Sequence, residues 1–267
     1  MGAKLRRLIS FPCAGETLIG TLDEAPGRTG LLIVSGGNEI RIGAHRGMAG
    51  LAAAIAAEGI PVFRFDRRGI GDSSGANAGY ESSAPDIAAA AATFVAETGV
   101  TRLVGFGNCD AATALALFHT VAGIDSLILA NPWTGGAADA LPAPAAIRAR
   151  YAEKLRNPRE WLRLVRGGVD LGSLTKGLRR IAASPSKEAS ELAARMASGL
   201  AGCATTILLA ERDNTAVAFR DAWRRLPSSP PVTIESLDSA SHSFASTADK
   251  AWLHDRVLAA VRVYSAA

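Results

Sequence analysis

The chain has 267 residues, 48% of them hydrophobic and 20% charged, with a net charge of +4. This balance excludes a disordered chain, allows a large α/β core, and leaves no apolar run long enough to cross a bilayer. Three widely spaced cysteines, Cys13, Cys109 and Cys203, make neither a disulfide framework nor a metal site, so a reducing cytoplasm is the expected setting and no metal or cofactor is expected.

From the N-terminus, Met1 to Ser10 is basic but lacks the apolar segment of a signal peptide. A hairpin is expected over Leu5 to Phe11 and Thr17 to Asp23. Short aliphatic runs then follow at Leu31 to Val34, Val62 to Phe65, Leu103 to Phe106 and Leu127 to Ala130. Alanine-rich helical stretches separate them: His45 to Glu58, Ala84 to Glu97 and Ala111 to Val121. Strands alternating with helices predict a mostly parallel, eight-stranded sheet covered on both faces, an α/β class.

After Trp133 the rhythm breaks. About seventy residues pass before the next strand, too many for a connecting loop, and predict a helical cap over 134–203 inserted into a core of 1–133 and 204–267. That segment holds 12 Lys and Arg against 6 Asp and Glu, a charge of +6, which leaves −2 for the rest of the chain. The pattern then resumes with strands Thr206 to Leu209 and Val232 to Leu237 and helices Ala216 to Leu226 and Thr247 to Tyr264. The arginines are spread along helix-like sequence with no nucleic-acid motif beside them, so an acidic partner suits the charge better than nucleic acid.

The chemistry centres on Gly107-Asn108-Cys109-Asp110-Ala111, between a strand and a helix. A strand that reverses into a helix through a strained turn needs small residues two before and two after the residue it presents. Gly107 and Ala111 meet that need, and Cys109 becomes the candidate nucleophile at a helix N-terminus. Downstream, Asp213 just past a strand and His242 before the last helix complete the order nucleophile, acid, base. Asp213 also suits a helix cap or turn. Glu211 is a weaker substitute, and His45, His119 and His254 are the competing bases.

Two backbone donors are needed for a developing oxyanion. Asp110, after the nucleophile, should give one, and Gly37 is favoured over Asn38 for the other in Ser35-Gly36-Gly37-Asn38. The carboxylate of Asp110 itself is awkward, because it stands beside a forming thiolate. Asn38, Arg41, His45 and Arg46 are candidate substrate-binding residues near the same edge, the cations suiting an anionic group. In Arg64 to Ser73 the glycines supply turns, and Asp66 or Arg68 should bond a neighbouring loop.

These stretches resemble the exosortase A system-associated hydrolases, type one, within the α/β-hydrolase superfamily. The likeness rests on Gly36-Gly37 with Arg41-Ile42-Gly43-Ala44-His45-Arg46, on Phe63 to Asp66 with Arg68 to Ser73, and on Gly107 to Ala111. Asn38-Glu39-Ile40 departs from the Pro-Gln-Tyr-like run expected there. The resemblance implies an α/β-hydrolase fold, a bacterial cytoplasmic setting, and neighbouring genes for an acyl-CoA ligase-like protein and an acyl carrier protein.

The expected function is a Cys-His-Asp acyl hydrolase or acyltransferase on a thioester or ester. A dienelactone-hydrolase-like lactonase and a non-catalytic binding module with the same fold are the alternatives. The substrate is expected to be a small acyl group, carried on coenzyme A or an acyl carrier protein. Arg156, Arg159, Arg163 and Arg166 recur at helical spacing and would guide such an acidic carrier. Oligomeric state is left open.

Overall fold

The computed structural model describes residues 6–135 and 187–266. The chain opens with the antiparallel hairpin β1 (Arg6–Cys13) and β2 (Glu16–Asp23), then β3 (Thr29–Val34), α1 (Gly47–Ala57), β4 (Val62–Phe65) and α2 (Ala84–Thr98). It continues through β5 (Arg102–Asn108), α3 (Asp110–Phe118) and β6 (Ser126–Ala130). Beyond the gap come α4 (Lys187–Gly199), β7 (Ala204–Ala210), α5 (Asn214–Arg224), β8 (Thr233–Leu237) and α6 (Thr247–Ala266). The strands form one sheet in the order β1-β2-β4-β3-β5-β6-β7-β8. β2 runs antiparallel to β1 and β4, and the remaining ladders are parallel.

Side-chain alternation along each strand divides the core in two. Leu32, Val34, Leu127, Leu129, Ile207 and Leu209 face α2, α3, α4 and α5, where Phe94, Leu115 and Phe219 pack. Leu31, Ile33, Ile128, Ala130, Leu208 and Ala210 face the other way, onto Leu51 and Ile55 of α1 and Val257 and Val261 of α6. Burial on both faces explains why these strands read as unbroken apolar runs.

Helix ends moved slightly from their expected places. α1 starts at Gly47 because His45 (φ 51°) and Arg46 (φ 58°) are left-handed and stop the helix from extending backwards. α3 ends at Phe118, after which Ala122 and Gly123 turn back on His119 and Thr120.

The packing of α4 bears on the expected boundary at 203. α4 falls inside the segment expected to be a cap, yet Leu192, Ala193, Met196 and Leu200 are buried, and Leu192, Met196 and Leu200 join the cluster that includes Leu115 of α3. The reason is an apolar stripe, Leu192, Met196 and Leu200, at four-residue spacing, with Glu191 and Arg195 off it. Residues 136–186, with Arg156, Arg159, Arg163 and Arg166, lie outside the described residues. If α4 belongs to the core, Met196→Ala should destabilise the fold by about 2–4 kcal/mol through the cavity it leaves. Denaturant unfolding measures this, and a negligible change would return α4 to the cap.

Among the described residues no helix is long and apolar enough to cross a membrane.

Candidate active site

β5 lies between β3 and β6, with Val34 opposite Gly107 and Asn108 opposite Ala130. A single residue, Cys109, separates its end from the start of α3. Its backbone (φ 61°, ψ −128°) is a conformation that costs a non-glycine residue about 1–3 kcal/mol. The surroundings hold it there. The Cys109 N–H donates to Ala130 O (3.0 Å), and its carbonyl accepts from the N–H groups of Ala112 (3.1 Å) and Trp133 (3.2 Å). Gly107 is required because a Cβ would stand 2.8 Å from the Ala111 carbonyl carbon.

Cys109 is the partly exposed thiol; Cys13 and Cys203 are buried. Burial and a 3.3 Å hydrogen bond to Asp86 push the Cys13 thiol up to about 11, and burial also raises Cys203. Neither is suited to form a thiolate near neutral pH.

Asp213 follows β7 and caps α5. Its Oδ2 accepts from the N–H groups of Thr215 (3.2 Å) and Ala216 (3.1 Å) and also lies 3.0 Å from His242 Nδ1. The capping role and the imidazole contact are therefore not alternatives; one carboxylate does both. The His242 loop is anchored through its backbone: its carbonyl accepts from Asn108 Nδ2 (3.2 Å) and Asn131 Nδ2 (3.1 Å). Asn131, fully buried, also accepts from the Ala210 N–H (2.8 Å), so it ties the ends of β6 and β7 to this loop. Sequence reasoning passed over Asn131. The available signal was an amide at a strand end before Pro132, where a buried polar side chain must have partners.

His242 is raised to about 10. The hydrogen bond to Asp213 is the main cause, the influence of the Cys109 side chain comes next, and burial opposes both. Such a shift favours the imidazolium beside the Asp213 carboxylate. The competing histidines sit elsewhere: His119 is buried with Nδ1 3.2 Å from Leu115 O, and His254 lies 3.2 Å from Asp255. Glu211 is engaged by Arg220 at 3.3 Å.

The expected oxyanion pair is altered. The Gly37 N–H already donates to Asp110 Oδ1 at 2.6 Å, so it is not the free donor that sequence reading favoured. The N–H groups of Asn38 and Asp110 have no partner among the described residues. The error has a physical source: a contact between residues 37 and 110 is tertiary and leaves no trace in local pattern.

Arg41 also departs from expectation. Its guanidinium bonds the buried Asp66, Thr21 (3.1 Å) and Asp72 (3.2 Å), which locks the loop after β3 to the loop after β4 and leaves little for a substrate. Asp66 and Arg68 do bond neighbouring segments, Arg68 through Asp86 at 2.5 Å. His45 and Arg46 are exposed. Arg46 lines a cavity of about 260 Å³ between α1 and α6, with Met48, Leu51, Phe244, Lys250 and His254. Cys109, Asp213 and His242 do not line that cavity. Asn38 bonds Asn77 Nδ2 through its side chain (2.9 Å). Among the described residues no three His, Cys, Asp or Glu side chains group so as to hold a metal ion.

No curated protein matches the chain in sequence. Solved structures do match in fold. DcsB, in complex with its substrate analogue, superposes with a TM-score of 0.66 at 13% identity, covering 98% of this chain and 100% of its own. The Pyrococcus furiosus esterase Pf2001 gives 0.65 at 14% identity, covering 97% and 90%. The thioesterase domain from the curacin biosynthetic pathway gives 0.57 at 14%, covering 95% and 99%. At these identities the likeness is one of fold. The sheet order, the strained residue between β5 and α3, and a match of residues 31–256 to the family model agree: the chain belongs to the alpha/beta hydrolase family.

Proposed function

We propose that the protein is a cysteine-nucleophile acyl hydrolase or acyltransferase that acts on thioesters or esters through an acyl-enzyme. The observation that carries this reading is the pairing of His242 Nδ1 with Asp213 Oδ2 at 3.0 Å beside the partly exposed Cys109, which the strained turn after β5 presents. In this reading His242 takes the thiol proton, and Asp213 holds the imidazolium and its tautomer. The thiolate attacks the acyl carbonyl carbon, and the oxyanion forms against backbone N–H groups. Collapse breaks the bond to the leaving thiolate or alkoxide, which receives the proton from His242. Neutral His242 then removes a proton from water or another acceptor, which attacks the acyl carbon and releases Cys109 with the proton restored.

Cysteine bears on substrate class. An acyl group on sulfur is itself a thioester, so exchange with a thioester substrate is close to isoenergetic. The partners that fit are coenzyme A or an acyl carrier protein. The finer assignment to the exosortase A system-associated hydrolases, with a cytoplasmic setting, rests on the motifs around Gly36, Arg68 and Cys109.

The test is to incubate the protein with a panel of acyl thioesters, esters and lactones and to follow both turnover and the mass of the intact protein. Thioester turnover with an acyl adduct on the Cys109 peptide is expected. Turnover of lactones alone would favour a dienelactone-hydrolase-like activity. Absence of any adduct or turnover across the panel would favour a binding module.

A further inference from the structure

The geometry points to Asp110 as a positioning residue that, with Arg67, sets the loop after β3 so that Asn38 rather than Gly37 supplies the second oxyanion donor. This inference rests on the cysteine-hydrolase reading above.

Asp110 Oδ1 accepts the Gly37 N–H at 2.6 Å, and Arg67 Nη2 donates to the Gly37 carbonyl at 2.7 Å. These two bonds lie on successive peptide groups. The first fixes the peptide that joins Gly36 to Gly37. The second fixes the peptide that joins Gly37 to Asn38. In a planar trans peptide the C=O and N–H point in opposite directions. Anchoring the Gly37 carbonyl on Arg67 therefore turns the Asn38 N–H to the other side, where it has no partner among the described residues.

The approach is close as well. A Cβ on Gly36 would stand 2.5 Å from Asp110 Oδ1 and 2.7 Å from Asn108 O, so only glycine lets the loop settle on the elbow. Gly37 itself is left-handed (φ 53°), and Glu39 N–H closes the turn onto Gly36 O at 2.9 Å. Asn77 adds a further tie through the Asn38 side chain.

Charge explains why a carboxylate is tolerated beside the nucleophile. Arg67, only 2% exposed, lies 3.6 Å from Asp110 Oδ2, and its Nη1 has no hydrogen-bond partner. The guanidinium offsets the carboxylate and leaves the pair close to neutral where negative charge must develop. Asp110 thus contributes twice: its backbone N–H faces the reaction as one donor, and its side chain orients the loop that carries the other.

Asp110→Ala keeps the backbone N–H but releases the loop, whereas Asp110→Asn keeps an oxygen able to accept from Gly37. With a small neutral acyl thioester, Asp110→Ala should lower kcat by about 10²-fold, the scale of a lost oxyanion donor, with KM within about twofold of the parent. Asp110→Asn should stay within about tenfold of the parent kcat, an intermediate loss because the partner charge on Arg67 is unmatched. A parental kcat in Asp110→Ala, a change confined to KM, or failure of a folded Asp110→Asn to stay in that range would each overturn the inference. If Asp110→Ala does not fold, the asparagine variant alone decides by the same limit. Cys109→Ala run alongside separates the two readings. Turnover without Cys109 would overturn the site as a whole, while an inactive Cys109→Ala beside an unimpaired Asp110→Ala would overturn only the role given to Asp110.

Discussion

Cys109→Ala is expected to lower kcat on acyl thioesters by about 10³-fold or more and to abolish the covalent adduct, with little change in folding stability. The separation of the two effects is the point. Alanine keeps a Cβ and so inherits the same strained backbone at φ 61° and ψ −128°. Cys109 is partly exposed, so removing its sulfur opens no large cavity. Cys109→Gly goes further, because glycine accepts positive φ without penalty. It should be inactive and more stable than the parent by about 1 kcal/mol. Kinetics and denaturant unfolding on the three proteins check this. Substantial activity in Cys109→Ala, or a large loss of stability without loss of activity, would make Cys109 an ordinary packed thiol.

Asp213→Ala should damage two properties at once. Loss of the cap on α5, where Asp213 accepts two N–H groups, should cost about 1 kcal/mol of stability. Loss of the partner for His242 should lower kcat by about 10²- to 10⁴-fold. Asp213→Asn separates the two, since asparagine caps a helix nearly as well but brings no charge to the imidazole.

The pH dependence carries its own sign. His242 is raised to about 10 chiefly by its bond to Asp213, so in the free parent protein the imidazolium survives until alkaline pH and kcat/KM, which reports acylation, should fall as pH rises through that value. Its contribution to stability has the same sense: fully present below the unfolded-state value of about 6.5 and lost as pH rises through about 10. In Asp213→Asn both alkaline limits should move down toward about 6.5. Rate–pH and stability–pH profiles of parent and variant test this, and coincident profiles would remove Asp213 from the site.

What the sequence made legible follows from how local each feature is. Strands such as Leu31 to Val34 and Leu127 to Ala130 were visible because burial on both sheet faces demands continuous apolar residues. The elbow was visible because its requirement for small residues at 107 and 111 is met within five positions. Asp213 and His242 were put forward on chain order, and His242 Nδ1 lies 3.0 Å from Asp213 Oδ2. The oxyanion loop was misread because its outcome depends on Asp110 and Arg67, which reach Gly37 across 73 and 30 positions. Arg41 was misread for a similar reason: an arginine near a cleft looks available until a buried carboxylate, here Asp66, takes it. α4 falls within 134–203 because the sequence reading took the next strand to mark where the core resumes; its burial against α3 is a tertiary feature that local pattern does not announce.

The amides of Asn108 and Asn131 hold the backbone carbonyl of His242, and Asn131 also holds the Ala210 N–H. These side chains neither gain nor lose protons over the range in which imidazoles and thiols titrate. The hold on the His242 backbone is thus built of parts blind to acidity, while the imidazole and the Asp213 carboxylate beside it are sensitive to it. An acid or alkaline change can then alter which atoms bear charge without shifting where those atoms stand. In this arrangement the amide contacts that hold the His242 backbone do not themselves depend on proton occupancy.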